Sequence, residues 1–287
     1  MSRTAIAAAM ILWIATLGAL ACTGVAIVQS GSVVVGGNED WTRFDSYVWA
    51  EAKTAETHGA VYFGYQVRGE FGPRSPFWFE FQGVNDQGLY VDTFGAPTVA
   101  NPRWAGKPSC PDHIEILMMR GCATVDEAID LLDSYDLARY QHHNERIFRS
   151  NMQFFLADGT GAAAVVDGEH IHRIEGGCLV TTNFRLSDPS LGGWPCWRYD
   201  LAHSMLAADS SPTVQRVAEI LDAVQFSCSH GYSSCTRYSL VCDLVHTTAF
   251  VYFDGDFSHP VSLDVERLCA DGLERMAIES LLEDGDG

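Results

Sequence analysis

Three separate stretches of the chain have the apolar pattern of paired strands, and in the first two a short polar turn separates two apolar runs. The first runs from Val25 to Val35 around Ser30-Gly31, the second covers residues 153–167 around Asp158-Gly159-Thr160-Gly161, and the third covers residues 236–255. Short apolar runs bounded by turn residues are typical of buried β-strands. Glycine, aspartate and serine favour the tight turns that join such strands. The pattern therefore predicts strand pairs at the start, in the middle and near the end of the chain.

Two further stretches have helical spacing. Thr124, with Glu127 three residues later, matches a capping box, and apolar residues follow it with a period near that of a helix. Ser211-Pro212 precedes "TVQRVAEILDAVQF", whose apolar residues have the same spacing, and proline is favoured in a first helical turn. We therefore expect one helix that begins near Thr124 and a second that has Pro212 in its first turn.

Strand pairs separated by helices predict a layered α+β fold with mainly antiparallel sheets. The sequence contains no internal repeat and no Pro/Ser-rich hinge, so a single domain is the simplest organisation. The dense run Phe77, Trp78, Phe79 and Phe81 is typical of a core strand, and an apolar acyl-binding pocket is the alternative. We interpret the acidic end "LLEDGDG", residues 281–287, as a frayed tail.

The first 21 residues have the three parts of a secretory signal peptide. Arg3 supplies a positive charge, residues 5–20 are apolar, and Ala19-Leu20-Ala21 is a small-x-small cleavage pattern directly before Cys22. We predict a signal peptide over residues 1–21, a mature domain over residues 22–287, and export to the periplasm or the extracellular space. A lipoprotein signal that lipidates Cys22 and an uncleaved membrane anchor stay open as alternatives, and either would attach the protein to a membrane.

The formal net charge is −19, from 37 acidic and 18 basic residues. A surface of this charge repels nucleic-acid phosphates, which excludes nucleic acid as a partner. The sequence has nine cysteines, an odd number for an exported chain. We expect some of the eight beyond Cys22 to pair and one to be left over.

Histidines and cysteines lie close together in three places that invite comparison with metal sites. Around His142-His143, and around His170 and His172, no cysteine or acidic residue recurs at ligand spacing, so solvated or core histidines are the preferred interpretation. Cys228-x-His230 with Cys235 is better explained in an exported chain by a local disulfide or by free thiols. We expect neither a metal nor a cofactor.

Cleavage after Ala21 would make Cys22 the first residue of the mature chain. An N-terminal cysteine carries a thiol and an α-amine on one residue, and an α-amine with a pKa of about 8 can act as the base for that thiol. The signal segment and Cys22 together predict a nucleophile that is created by cleavage.

Several segments after Cys22 occur in the order of a known family. They are Cys22-Thr23 with the following strand pair, Gly36-Gly37-Asn38-Glu39-Asp40, "GVNDQGLYVDTFG" at residues 83–95, "LVTTNF" at residues 179–184, "CWRYD" at residues 196–200 and "TRYSLVCDL" at residues 236–244. In these segments nearly the whole mature chain resembles the choloylglycine hydrolase family of N-terminal-nucleophile amidases, which includes bile salt hydrolases and penicillin V acylases. It is also similar to the related peptidase family that contains acyl-coenzyme A:6-aminopenicillanate acyltransferase. The resemblance implies a four-layer αββα sandwich.

The resemblance also implies roles for individual residues. Cys22 would be the nucleophile and, through its α-amine, the base, while Asp40 would hold that amine and remain ionised beside it. Asn183 would donate its side-chain N–H to the oxyanion, and a backbone N–H near Gly95 would be the second donor. Arg198 would favour the thiolate of Cys22 through its positive charge.

The sequence differs from bile salt hydrolases where these carry an arginine before the Asn-x-Asp segment. Gly37 occupies that position here, and whether Arg43 reaches the same space is left open. The substrate is therefore expected to be a small N-acyl amide whose acyl and amine halves the sequence does not identify. An acyltransferase that passes the acyl group to an amine and a lipid-anchored binding protein without turnover are the alternatives to hydrolysis, and a homo-oligomer is left open as well.

Overall fold

The computed structural model describes residues 22–41, 45–67, 77–137, 152–227 and 235–283, except for the side chains of residues 67, 77–80 and 283. The predictions made on the signal segment, on Arg43, on His142-His143, and on Cys228 and His230 fall outside these ranges and stay predictions. The strands are β1 (Thr23–Gln29), β2 (Ser32–Trp41), β3 (Ser46–Glu51), β4 (Ala60–Val67), β5 (Phe77–Asn85), β6 (Leu89–Gly95), β7 (Met152–Asp158), β8 (Ala163–Asp167), β9 (His170–Ile174), β10 (Gly177–Thr181), β11 (Cys235–Asp243), β12 (Thr248–Phe253), β13 (Asp256–Asp264) and β14 (Leu273–Ala277). The helices are α1 (Ile114–Gly121), α2 (Val125–Leu132), α3 (Trp197–Ala208), α4 (Val214–Ala223), α5 (Val265–Asp271) and α6 (Ser280–Glu283), with a 3₁₀ turn at Pro102–Trp104.

The described strands form two antiparallel sheets. The six-stranded sheet has the order β10-β1-β2-β11-β12-β13, and the eight-stranded sheet has the order β14-β3-β4-β5-β6-β7-β8-β9. The three predicted strand pairs are confirmed as β1–β2, β7–β8 and β11–β12. Gly31 closes the first of these turns with a φ of 78°, a conformation that glycine adopts without a steric penalty.

Both predicted helices are present, and one begins later than expected. Thr124 caps α2 with the complete capping box, in which its side chain and that of Glu127 each accept a backbone N–H. Thr213 caps α4 by accepting the N–H of Arg216, and its backbone is extended. The helix therefore begins at Val214, and the prediction that Pro212 lies in the first turn is wrong because Thr213 takes the capping position. The prediction of a frayed tail is also wrong for residues 281–283, which belong to α6.

Apolar side chains alternate between the two faces of each sheet and so build three cores. In β1, Val25 and Ile27 pack against α3 and α4, while Ala26 and Val28 pack between the sheets. Helices α1 and α2 cover the outer face of the eight-stranded sheet. The layers are therefore α, β, β and α, which confirms the predicted four-layer α+β sandwich.

The aromatic run in β5 is part of a strand, as predicted, and its described member Phe81 is buried in the core between the sheets. Among the described cysteines, Cys235 is disulfide-bonded. The others are free thiols: Cys22, Cys110, Cys122, Cys178, Cys196, Cys242 and Cys269. Within the described ranges, no helix is long and apolar enough to cross a bilayer.

Candidate active site

Cys22 lies directly before β1, where the ends of neighbouring strands meet. Because β1 pairs antiparallel with both β2 and β10, its first residues lie beside the last residues of those strands. On β2, Thr23 is opposite Asn38, and Asp40 lies two residues further along the strand. On β10, Gly24 is opposite Thr181, and Asn183 lies two residues further along the chain. The strand register alone therefore gathers residues that are far apart in the sequence around Cys22, which is only 3% exposed.

Arg198, in the first turn of α3, connects the predicted residues. Its Nη1 donates to the carbonyl oxygen of Cys22 and, at 2.8 Å, to Oγ1 of Thr23. Its Nη2 donates to Oδ1 of Asn183 at 3.1 Å, and its Nη1 lies 3.9 Å from Oδ2 of Asp40. The guanidinium thus contacts the backbone of Cys22, the amide of Asn183 and the carboxyl of Asp40. Its contact with Cys22 is through the backbone carbonyl oxygen and not through the thiol.

Asn183 lies beside Gly95, as the resemblance implies. Its Nδ2 donates to the carbonyl oxygen of Gly95 at 2.9 Å. A side-chain amide has two N–H donors, so this bond leaves one donor of Asn183 available for a ligand. Because Oδ1 is held by Arg198, the direction of the remaining N–H is fixed. The position of Gly95 agrees with the prediction, and its role as a backbone donor stays a prediction.

Asp40 is fully buried on the face of β2 that is turned toward the helices. Thr236 donates its hydroxyl to Oδ1 of Asp40. Burial raises the pKa of Asp40 to about 7, against the lowering effects of Arg198 and Thr236. In the full-length chain, where Cys22 is joined to Ala21 by a peptide bond, the carboxyl of Asp40 is therefore partly protonated near neutral pH. The predicted ionised state depends on the α-amine that cleavage would add.

The thiol of Cys22 faces the space between the sheets and contacts Glu39. Sγ donates to Oε2 of Glu39 over 3.8 Å, and both side chains are buried. Burial raises the pKa of the Cys22 thiol well above its ordinary value, and the carboxyls of Glu39, Asp40 and Asp92 raise it further. In the full-length chain the thiol is therefore held in its protonated form.

Glu39 and Asp92 form a pair of carboxyls that are buried against each other. Their side chains are hydrogen-bonded to one another, and Asp92 also accepts from Gln82 at 2.7 Å and from the hydroxyl of Tyr90 at 3.0 Å. Burial raises the pKa of Asp92 to about 7 and that of Glu39 well above its ordinary value. Two carboxyls this close cannot both ionise without a cation between them, so they share a proton near neutral pH.

This pair explains the glycine at position 37. A Cβ on Gly37 would lie 2.4 Å from Oδ2 of Asp92 and 2.7 Å from Nε2 of Gln82. Any side chain at this position would therefore displace the hydrogen-bonded group around Asp92. The space into which the arginine of bile salt hydrolases would begin to extend is occupied here by an acidic residue and an amide.

The shared proton predicts how stability depends on pH. The folded chain binds a proton at Asp92 up to a pH of about 7, whereas an unfolded aspartate releases it near pH 4. The folded state thus binds more protons between these values, so this group's contribution to the free energy of unfolding is complete below about pH 4 and is lost as the pH rises through about 7. Asp92→Asn keeps the hydrogen-bonding shape and removes the titration. When the pH is raised from 5 to 8, the free energy of unfolding of the wild type should therefore fall by roughly 3 kcal/mol relative to that of the variant.

Urea unfolding of both proteins at pH 5 and pH 8 measures this difference. Asp130→Asn is the matched control, because Asp130 is exposed on α2. The free energy of unfolding of this control should change with pH by the same amount as that of the wild type. If the free energy of unfolding of Asp92→Asn changed between pH 5 and pH 8 by the same amount as that of the wild type, Asp92 would be ionised throughout and no proton would be shared.

The sequence predicts site roles for Cys22, Asp40, Asn183, Arg198 and Gly95, and the structure brings these residues together, while their roles stay predictions. It did not identify Glu39 or Asp92. A signal for Asp92 was present, because it is the one acidic residue in the otherwise uncharged strand β6, a pattern that indicates a buried functional group. Glu39 lies between Asn38 and Asp40 in the segment that the resemblance already singled out. The described histidines His170 and His172 lie on β9, at the far edge of the eight-stranded sheet. Within the described ranges no three His, Cys, Asp or Glu side chains are arranged to hold a metal ion.

Comparison with solved structures finds the same fold in known amidases. The chain is similar to the penicillin V acylase of Agrobacterium tumefaciens, with a TM-score of 0.58, 16% identity, and coverage of 86% of this chain and 88% of that one. It is also similar to two variants of the conjugated bile acid hydrolase of Clostridium perfringens, with TM-scores of 0.60 and 0.62, identities of 16% and 15%, and coverage of 89% of this chain and 96% of theirs. No family model matches the chain, and no curated protein matches it either.

These similarities extend over most of each chain, so they concern the whole sandwich. They confirm, at the level of the fold, the resemblance to N-terminal-nucleophile amidases that the sequence motifs indicated. At 15–16% identity they show the fold alone, and the activity has to be argued from the residues around Cys22.

Proposed function

We propose that this protein is an exported amidase that hydrolyses a linear, non-peptide amide C–N bond through an acyl-enzyme on Cys22. The observation that carries the proposal is the position of Arg198, which binds the carbonyl of Cys22 and the amide of Asn183 and lies 3.9 Å from Asp40. A nucleophile, an oxyanion donor and an acid that can hold an amine are thus grouped around one cation. Two solved enzymes with a similar fold, a penicillin V acylase and a bile acid hydrolase, are named for reactions of this kind.

The reaction would begin when the α-amine of Cys22 accepts the thiol proton and Sγ attacks the carbonyl carbon of the amide. The carbonyl oxygen becomes an oxyanion, which the second N–H of Asn183 stabilises. The proton then passes from the ammonium to the amide nitrogen, the C–N bond breaks, and the amine leaves. Water, deprotonated by the same α-amine, hydrolyses the thioester and restores the thiol.

Cleavage after Ala21 would also change the electrostatics of the site. In the full-length chain three nearby carboxyls, those of Glu39, Asp40 and Asp92, all raise the pKa of the thiol. A new ammonium at Cys22 would place a positive charge beside the thiol and next to Asp40. It would favour the thiolate and the ionised form of Asp40 at the same time. Cleavage after Ala21, which frees the α-amine of Cys22, is therefore the step that activates the site.

Arg198 would act mainly by positioning. Its hydrogen bonds fix the backbone of Cys22 and the side-chain orientation of Asn183. The resemblance implies that it favours the thiolate by its charge, and the contacts support a role in alignment instead. Cys22 is also buried between the sheets, which favours a nucleophile over a lipid acceptor, because an attached lipid would have to leave this packed space.

The processed form is the first prediction from this proposal. Because the α-amine is the proposed base, the active protein should begin at Cys22. Intact-mass and N-terminal peptide analysis of exported protein should give a chain of residues 22–287 without a lipid on Cys22. A fully active protein that retained residues before Cys22, or that carried a diacylglyceryl group on this thiol, would contradict the mechanism.

The activity itself is tested with a panel of N-acyl amides. The mature chain should release free amine from at least one class among N-acyl amino acids, bile salts, penicillin V and N-acyl homoserine lactones. A competing amine added to the reaction separates hydrolysis from acyl transfer, because only a transferase forms the new amide in preference to the free acid. Absence of amine release from every class would speak for a binding protein that keeps the fold without turnover.

A further inference from the structure

Several buried polar atoms beside Cys22 have no hydrogen-bond partner among the described residues. Among them are Oε1 of Gln82 and the hydroxyls of Tyr65 and Tyr238, and all three residues are buried. Within the described residues, Oε1 of Glu39 and Oδ1 of Asp92 have no partner except the proton that this pair shares. Buried polar groups are nearly always hydrogen-bonded, so such a group of unpaired atoms indicates that something polar occupies the space between them.

The chemistry of these atoms selects the kind of occupant. The carboxyl and amide oxygens are acceptors, and each tyrosine hydroxyl can also accept. The side chains of Glu39 and Asp92 are negative whenever they are not protonated. An ammonium group has three N–H donors, no acceptor and one positive charge. It would take the place of the proton that Glu39 and Asp92 share, and it would allow both carboxyls to ionise.

Aromatic rings border the same space. The rings of Tyr65 and Tyr238 are 6.0 Å apart, and Trp41 lies 5.7 Å from Tyr65 and 5.5 Å from Phe81. Trp41 is on the same face of β2 as Glu39, because side chains two residues apart in a strand share a face. Aromatic faces attract cations, and a combination of aromatic rings with carboxyls is typical of sites that bind an amine.

The distance to the nucleophile indicates which part of a substrate would carry the amine. Oε2 of Glu39 is 3.8 Å from Sγ of Cys22. In an acyl-enzyme Sγ is bonded to the carbonyl carbon, so the atoms nearest to Glu39 belong to the acyl group. An amino group on the α or β carbon of that acyl group would lie within reach of the carboxyl.

We infer that Glu39 and Asp92 bind an ammonium group on the acyl side of the scissile bond, which makes the substrate an N-(aminoacyl) amide. This inference rests on the proposed amidase function of Cys22 and adds the chemical class of its acyl group. The pair acts as the specificity determinant, while Cys22 and Asn183 carry the chemistry.

Matched substrates test the inference. The 3-aminopropionyl and butyryl p-nitroanilides have the same shape and differ only in an ammonium in place of a methyl group, and the glycyl and propionyl anilides form a second such pair. In the mature enzyme we expect kcat/KM to favour the amino substrate of at least one pair by about 100-fold, the size expected for a charge-assisted contact. Release of nitroaniline gives the rates.

Variants of the pair locate the effect. Glu39→Gln should remove the preference: the ratio of kcat/KM for the amino substrate to that for the neutral substrate should fall from about 100 to about 1, and this ratio cancels any change in the reactivity of the Cys22 thiol itself. Asp92→Asn should act in the same direction. Glu219→Gln, at an exposed position of α4, is the matched control and should keep the wild-type preference.

A binding measurement keeps this test separate from the test of catalysis. Cys22→Ala, which lacks the nucleophile, should bind 3-aminopropionamide about 100-fold more tightly than butyramide in calorimetry. Equal affinities would overturn the inference and leave water as the occupant of the space. A neutral substrate that is cleaved as fast as the amino substrate would overturn it too, without affecting the proposed amidase. Tight binding of the amine with no hydrolysis of any anilide would instead count against the proposed function.

Discussion

Cys22→Ser is expected to lower kcat for amide hydrolysis by about three orders of magnitude or more. A hydroxyl ionises far less readily than a thiol, and the α-amine of the same residue is too weak a base to compensate. The site amplifies the difference, because Cys22 is buried and three carboxyls oppose a negative charge on its side chain. Rates of amine release from the mature wild type and the variant measure the effect.

Cys242→Ser is the control for this substitution. Cys242 is also fully buried in the core between the sheets, and burial raises the pKa of its thiol. The same exchange there should leave kcat within a few-fold and act on stability alone. If Cys22→Ser kept the wild-type rate, or if Cys242→Ser removed it, the nucleophile would be a different residue.

Asn183→Ala is expected to reduce kcat by about two to three orders of magnitude, with a smaller change in KM. The reason is that its free N–H is aimed by two hydrogen bonds, one to Gly95 and one from Arg198, and would meet the oxyanion only as charge develops on it. Asn183→Asp should be at least as harmful, since it would place a negative charge against the developing one.

Asn101→Ala separates this effect from simple loss of a hydrogen bond. Asn101 also donates its side-chain amide to a backbone carbonyl, that of Gly168, at 2.8 Å and outside the site. Steady-state kinetics should show an unchanged kcat for this control. A change confined to KM in Asn183→Ala would make Asn183 a substrate contact instead of an oxyanion donor.

Apolar runs in the sequence predicted much of the sandwich, because both faces of strands such as β1 are buried. Val25 and Ile27 pack on one face of β1, and Ala26 and Val28 pack on the other, so the apolar run in the sequence corresponds to a strand that is buried on both sides. Helix ends were less predictable. Pro212 is permitted in a first turn, but the hydrogen bond from Arg216 to Thr213 fixes the helix start one residue beyond the cap.

The sequence predicted the site residues that belong to a recognisable motif. It did not predict the contact between carboxyls that only the packing of the two sheets brings together. Cys22, Asp40, Asn183 and Arg198 follow from the order of the family's segments. Glu39 and Asp92 are 53 positions apart in sequence numbering, on different sheets, and only the packing of the sheets brings their carboxyls together. No local pattern specifies which strand faces which across the core.

The most direct test of the account is the mass of the enzyme during turnover. Mature wild-type protein mixed with a substrate that it cleaves, and quenched in acid, should gain the mass of the acyl group, and peptide mapping should place this group on the peptide that begins with Cys22. Cys22→Ser under the same conditions should remain unmodified. Turnover without any adduct on Cys22 in the wild type, or an adduct on another residue, would contradict the proposal that this cysteine is the nucleophile.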